Sequence, residues 1–64
     1  MYEEFTRNDF GTFKEWFSFI KAITNSIDES FIGWTVSTHT LSIDIPNFNY
    51  NAYIIAEKII GEYF

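Results

Sequence analysis

Between Phe31 and Pro46 the chain reads FIGWTVSTHTLSIDIP, with its large apolar residues on alternate positions. Side chains on a strand alternate between two faces, so this stretch folds on paper into a hairpin with one greasy face and one bare face. Opposing Val36 to Leu41 sets Trp34 against Ile43 and Ile32 against Ile45, which gathers all six on one side. Gly33, Thr35, Ser37, Thr40, Ser42 and Asp44 then take the other. The pairing is the same whether the loop is Thr38-His39 or residues 37–40. Thr and His resist the positive φ that a two-residue primed turn demands, which favours the longer loop. Pro46 has no N–H to donate and ends the second strand.

A greasy hairpin face needs a cover, and the flanking segments supply two amphipathic helices. Thr12 followed by Glu15 has the T-x-x-E spacing of a capping box. Trp16, Ile20, Ile23 and Ile27 then recur at helical spacing. Phe13 and Phe17 flank that stripe on one side and Phe19 on the other, with Lys14, Lys21 and Asn25 opposite. The polar run Asp28-Glu29-Ser30 follows. After Pro46, Asn49 or Asn51 can serve as the N-cap of a second helix. Ala52, Ile55, Ala56, Ile59 and Tyr63 give it a face suited to the hairpin, with the two alanines allowing close approach.

The sequence therefore predicts one α+β domain over residues 1–64, a small single-layer α-β-β-α arrangement with both helices on one face of a two-stranded antiparallel hairpin. Its expected parts are an N-terminal arm over 1–11, helices over 12–28 and 50–63, and strands over 31–37 and 40–45. Tyr2, Phe5 and Phe10 are apolar without period, and Gly11 breaks the chain, so the arm is expected to fold over the core.

A domain of this length buries only about 60% of its unfolded surface. The chain has no cysteine, which removes disulfides and thiolate metal sites and points to a reducing, cytoplasmic setting. The first residues, MYEEFTRNDF, lack the basic and apolar regions of a signal peptide. No apolar run approaches the roughly 20 residues that span a bilayer. Isoleucine occurs ten times and leucine once, a bias toward A- and T-rich codons that suggests a phage or mobile element.

The net charge is −5, from nine acids against four cations, which argues against direct binding to nucleic acid or an anionic membrane. The acids are scattered, with no run longer than two, and read first as a solubilising surface.

Residues able to do chemistry are few. His39 is the only histidine, at a hairpin tip, with Asp44 too far down the strand to orient it as a triad requires. Glu3, Glu4 and Asp9 share no spacing that fixes them on one face, and no second histidine completes a transition-metal site. Gly11, Gly33 and Gly61 form no phosphate loop. No catalytic, cofactor-binding or metal residues are assigned, and an enzyme is not expected.

Binding remains. Phe19 on the margin of the first helix, with Tyr53, Ile60 and Phe64 around Glu57 on the second, exceeds what the four-element core needs. Aromatics ringed by polar groups have the character of interface hot spots. The expectation is an acidic protein–protein interaction module with Phe19, Tyr53, Glu57, Ile60 and Phe64 at its partner surface. Its partner would be a host protein that it inhibits or redirects, or a second copy of itself in a homodimeric structural or assembly subunit. A nucleic-acid mimic that captures a DNA- or RNA-binding protein is the further alternative.

Overall fold

A computed structural model describes residues 1–35 and 39–64. In chain order they form β1 (Tyr2–Thr6), a 3-10 turn (Arg7–Asp9), α1 (Phe13–Ser26), a second 3-10 turn (Glu29–Phe31), β2 (Ile32–Trp34), β3 (Thr40–Asp44) and α2 (Tyr50–Tyr63). The class is α+β, with two helices and a three-stranded antiparallel sheet in the order β1-β3-β2. The expected two-stranded sheet is thus corrected to three strands, and the segment expected as an arm supplies the third.

Edge position explains why β1 carries no alternating signal. Phe5 lies opposite Leu41 and is buried, while Glu3, two residues earlier on the same face, lies opposite Ile43 and is exposed. A side chain on an edge strand can leave past the edge, so a glutamate is tolerated at a helix-side position. The apolar pattern is broken for the same reason.

Capping sets where both helices begin. The Thr12 hydroxyl oxygen accepts from the Glu15 amide at 3.2 Å. The same hydroxyl donates to the Glu15 carboxylate at 3.4 Å, so that carboxylate meets the capping side chain itself. The Asn49 side-chain oxygen accepts from the Ala52 amide at 3.2 Å, which selects Asn49 over Asn51 as the cap of α2. Asp28 caps the second 3-10 turn by accepting from the Ser30 amide at 2.9 Å.

The hairpin register is displaced by two residues from the expected one. Ile32 faces Ile43, Gly33 faces Ser42 and Trp34 faces Leu41. The Thr35 N–H donates to the Thr40 carbonyl at 3.3 Å, in the same register. A shift of two keeps every side chain on its expected face. It also frees Ile45 from Ile32, and Ile45 bonds instead to Met1 at the start of β1. The expected Val36–Leu41 pair and the side assigned to Ser37 rest on residues outside those described.

The core is Phe5, Trp16, Phe19, Ile20, Ile23, Ile27, Leu41, Ile43, Ile45, Ala56 and Ile59. Leu41, Ile43 and Ile45 belong to the central part of the sheet and are fully buried, whereas Trp34, expected in the core, is 46% exposed on the edge strand β2. Ile32 is partly buried. On α2, Ala56 and Ile59 are buried and Ala52 and Tyr63 partly so. Ile55 is exposed on the flank that faces α1, beside Ala22 and Ser26.

Candidate functional site

The five residues expected at a partner surface separate into two groups. Phe19 leaves the surface altogether, because it is 0% exposed. Its ring lies 4.9 Å from Phe5, 5.1 Å from Phe10 and 5.4 Å from Tyr63. The N-terminal segment supplies the first two of these rings and so covers a position that the helix pattern alone leaves at the margin.

Tyr53, Glu57, Ile60 and Phe64 remain together as one stripe of α2, at spacings of four, three and four residues. The Tyr53 hydroxyl donates to the Glu57 carboxylate at 2.8 Å, and that hydrogen bond holds the phenol above its ordinary pKa. Ile60 packs against the core and is half-buried. Phe64 lies 5.0 Å from Phe10 and 5.5 Å from Phe5 but is still 62% exposed, since these rings reach only part of it.

The N-terminal segment meets this stripe at both ends. Met1 shares a groove with Tyr53 at one end, and Phe5 stacks on Phe64 at the other. From Met1 to Phe5 a strand advances about 13 Å, and from Tyr53 to Phe64 a helix advances about 16 Å, so the two contacts are compatible with elements lying side by side. Glu3 and Glu57 are both exposed.

The groove at the Met1 end has a volume of about 270 Å³ and is lined by Met1, Ile45, Pro46, Asn47, Tyr50 and Tyr53. The Met1 amino group donates to the Ile45 carbonyl at 2.6 Å and closes one wall. The Tyr50 and Tyr53 rings stack 6.1 Å apart, as residues three apart on a helix can. Phe48, in the short segment just before the α2 cap, is 88% exposed.

Sequence reasoning missed Phe48 and Tyr50. Helix capping and period single out neither, although the run PNFNYNAY places three aromatic residues within residues 48–53, just after a proline. That density was the signal available.

Phe13, Phe17 and His39 are also exposed. Phe13 and Phe17 stack 6.0 Å apart on the outer side of α1, with the Arg7 guanidinium 4.9 Å from the first ring and the Lys21 ammonium 5.6 Å from the second. Such cation–π contacts hold long cations over exposed rings. His39 is exposed, and its carbonyl accepts from the Arg7 amide at 3.0 Å. Asp44 lies at the far end of β3 opposite Tyr2. Among the described residues no group of three or more His, Cys, Asp or Glu side chains could hold a metal ion. No helix among them is long and apolar enough to cross a membrane.

No protein family, characterised protein or solved structure matches this chain.

Proposed function

We propose that the chain is a small acidic protein–protein interaction module whose recognition surface is the seam between β1 and α2, centred on the groove at Pro46, Tyr50 and Tyr53. The observation that carries this reading is the gathering of Tyr50 and Tyr53 with Met1 and Pro46 at one apolar groove, with Phe48 88% exposed in the segment that leads into α2, while the core is filled by other residues. Aromatic anchors beside a pocket, with charge at the rim, are the features that concentrate binding energy. A standard interface takes about 800 Å² from each partner. Set against a total surface of 4363 Å², that is near a fifth of the molecule, so a partner would need the whole seam and not the groove alone. Occupying a partner's surface is also how a chain this small would inhibit or redirect a host protein.

The test is site-specific photocrosslinking in cells, with a benzophenone amino acid at Phe48 and, as control, at the exposed Asn25 of α1. The expected result is one discrete heteromeric adduct from position 48 that disappears with Tyr53→Glu. The same adducts from both positions would refute the reading.

A second reading, self-association, is favoured by Trp34, which stands 46% exposed on a strand at the edge of the sheet. Light scattering separates the two. A dimer mass reduced to the monomer by Trp34→Glu supports self-association, and an unchanged monomer mass removes it.

A further inference from the structure

We propose that the open edge of β1 accepts an extended, cationic segment of the partner protein as a fourth strand. The inference rests on the interaction reading above and adds the chemistry of the partner.

The hydrogen-bonding pattern defines which groups are on offer. Met1 and Ile45 exchange both of their bonds, and the Arg7 amide donates to the His39 carbonyl. In an antiparallel ladder the inward-bonding residues alternate, so Met1, Glu3, Phe5 and Arg7 turn their amides and carbonyls toward β3. Tyr2, Glu4 and Thr6 turn theirs outward, and β1 is the end of the sheet. The outward Thr6 amide is already taken, because it donates to the Asp9 carboxylate at 2.8 Å. Asp9 thus closes the edge at one end. The amides and carbonyls of Tyr2 and Glu4 remain, which matches a strand of four or five residues added by β-augmentation.

Charge decides which strand fits. Consecutive glutamates put one carboxylate on each face of this edge, Glu3 on the helix side and Glu4 on the outer side. On the outer face Asp44 lies opposite Tyr2, and Glu4 accepts a hydrogen bond from the Tyr2 hydroxyl. Together they hold that phenol above its ordinary pKa, with the Glu4 hydrogen bond the largest cause.

None of the four Lys and Arg side chains is in β1 or β3. Arg7 lies over Phe13, Lys14 and Lys21 are on α1, and Lys58 lines the opposite flank of α2 with Ile55 and Glu62. A second copy is a poor occupant. Pairing YEEFT antiparallel with itself about Glu4 sets Glu4 against Glu4, and like charges directly opposite destabilise a pair. Glutamates on an edge block self-pairing while favouring a strand with Lys or Arg on both faces. The net charge of −5 also draws a cationic partner toward the molecule.

The test is NMR hydrogen exchange on the full chain with two synthetic peptides, Thr-Lys-Arg-Val-Lys-Arg, which carries cations on both faces of a strand, and its charge-reversed form Thr-Glu-Glu-Val-Glu-Glu, each raised to millimolar concentration. The basic peptide is expected to slow exchange of the Tyr2 and Glu4 amides about tenfold or more, leaving the Ile32 and Trp34 amides at the β2 edge unchanged. Glu3→Lys with Glu4→Lys, both at exposed positions, should abolish that protection and transfer it to the acidic peptide. Four outcomes would overturn the proposal: no protection by the basic peptide, protection by both peptides alike, equal protection of both sheet edges, or binding that leaves the Tyr2 and Glu4 amides exchanging freely. If the edge stays unprotected while position 48 still yields its single adduct, the strand-addition inference falls and the interaction module stands. Loss of both results removes both.

Discussion

Replacing Phe19 by alanine tests whether this residue belongs to the core or to a binding surface. A buried aromatic side chain removes about 200 Å² from water, worth about 5 kcal/mol at 25 cal/mol per Å². Alanine keeps its Cβ, and measured losses for Phe→Ala in cores run at about 3–5 kcal/mol. Phe19 belongs in the upper half of that range, because its ring is fully buried and meets Phe5, Phe10, Tyr63 and Phe64 at once. Those neighbours come from both ends of the chain, so collapse around the cavity would require β1 and α2 to move together. At about 0.05–0.15 kcal/mol per residue, a 64-residue domain has roughly 3–10 kcal/mol in total. The variant should therefore lose about 40% or more of its stability.

Urea unfolding followed by tryptophan fluorescence reads this directly. Trp16 is buried with its ring 6.5 Å from Phe19, and a Trp34→Phe background makes it the sole emitter. Where the alanine variant is too unstable to show a folded baseline, Phe19→Leu, with an expected loss of about 1–2 kcal/mol, gives the same test. Phe48→Ala is the control and should change stability by no more than about 0.5 kcal/mol. A loss below about 1 kcal/mol for Phe19→Ala would refute the core assignment, because only a residue with an exposed ring could be removed so cheaply.

Other consequences are more local. Thr12→Ala removes the acceptor of the Glu15 amide and should cost about 1 kcal/mol in the same assay, with Thr12→Ser near neutral. Asp28 has its carboxyl pKa lowered, chiefly by the Ser30 amide and then by the Ser30 hydroxyl. Its contribution to stability is therefore present above the unfolded-state pKa and lost as pH falls through the folded one. Urea midpoints measured from neutral to strongly acidic pH should fall less steeply for Asp28→Asn, and identical slopes would show that the cap does not titrate with folding. A Cβ on Gly33 would overlap the Ser42 hydroxyl directly across the ladder. Gly33→Ala should consequently be tolerated better in a Ser42→Ala background than alone, and a double-mutant cycle with no coupling would argue against the observed register.

What the sequence determined by itself was local. The alternation of Ile32, Trp34, Leu41, Ile43 and Ile45 settled which side of the sheet is greasy, since parity survives any register shift of two. Thr12, the pair Asn49 and Asn51, and the helical spacing of Trp16, Ile20 and Ile23 marked the helices, because caps and amphipathic faces act within a few residues; the choice of Asn49 came from the structure. The α2 stripe of Tyr53, Glu57, Ile60 and Phe64 was legible for the same reason. Tertiary structure decided the rest. It made residues 2–6 a strand, although Glu3 breaks the pattern, because ladder bonds to β3 and the burial of Phe5 outweigh a weak local signal. It took Phe19 into the core and left Trp34 at the edge, since burial depends on which element lies above a residue and helical or strand period is silent on that. It also brought Met1 beside Pro46, Tyr50 and Tyr53, making a groove that joins residues more than forty positions apart and that no local pattern records.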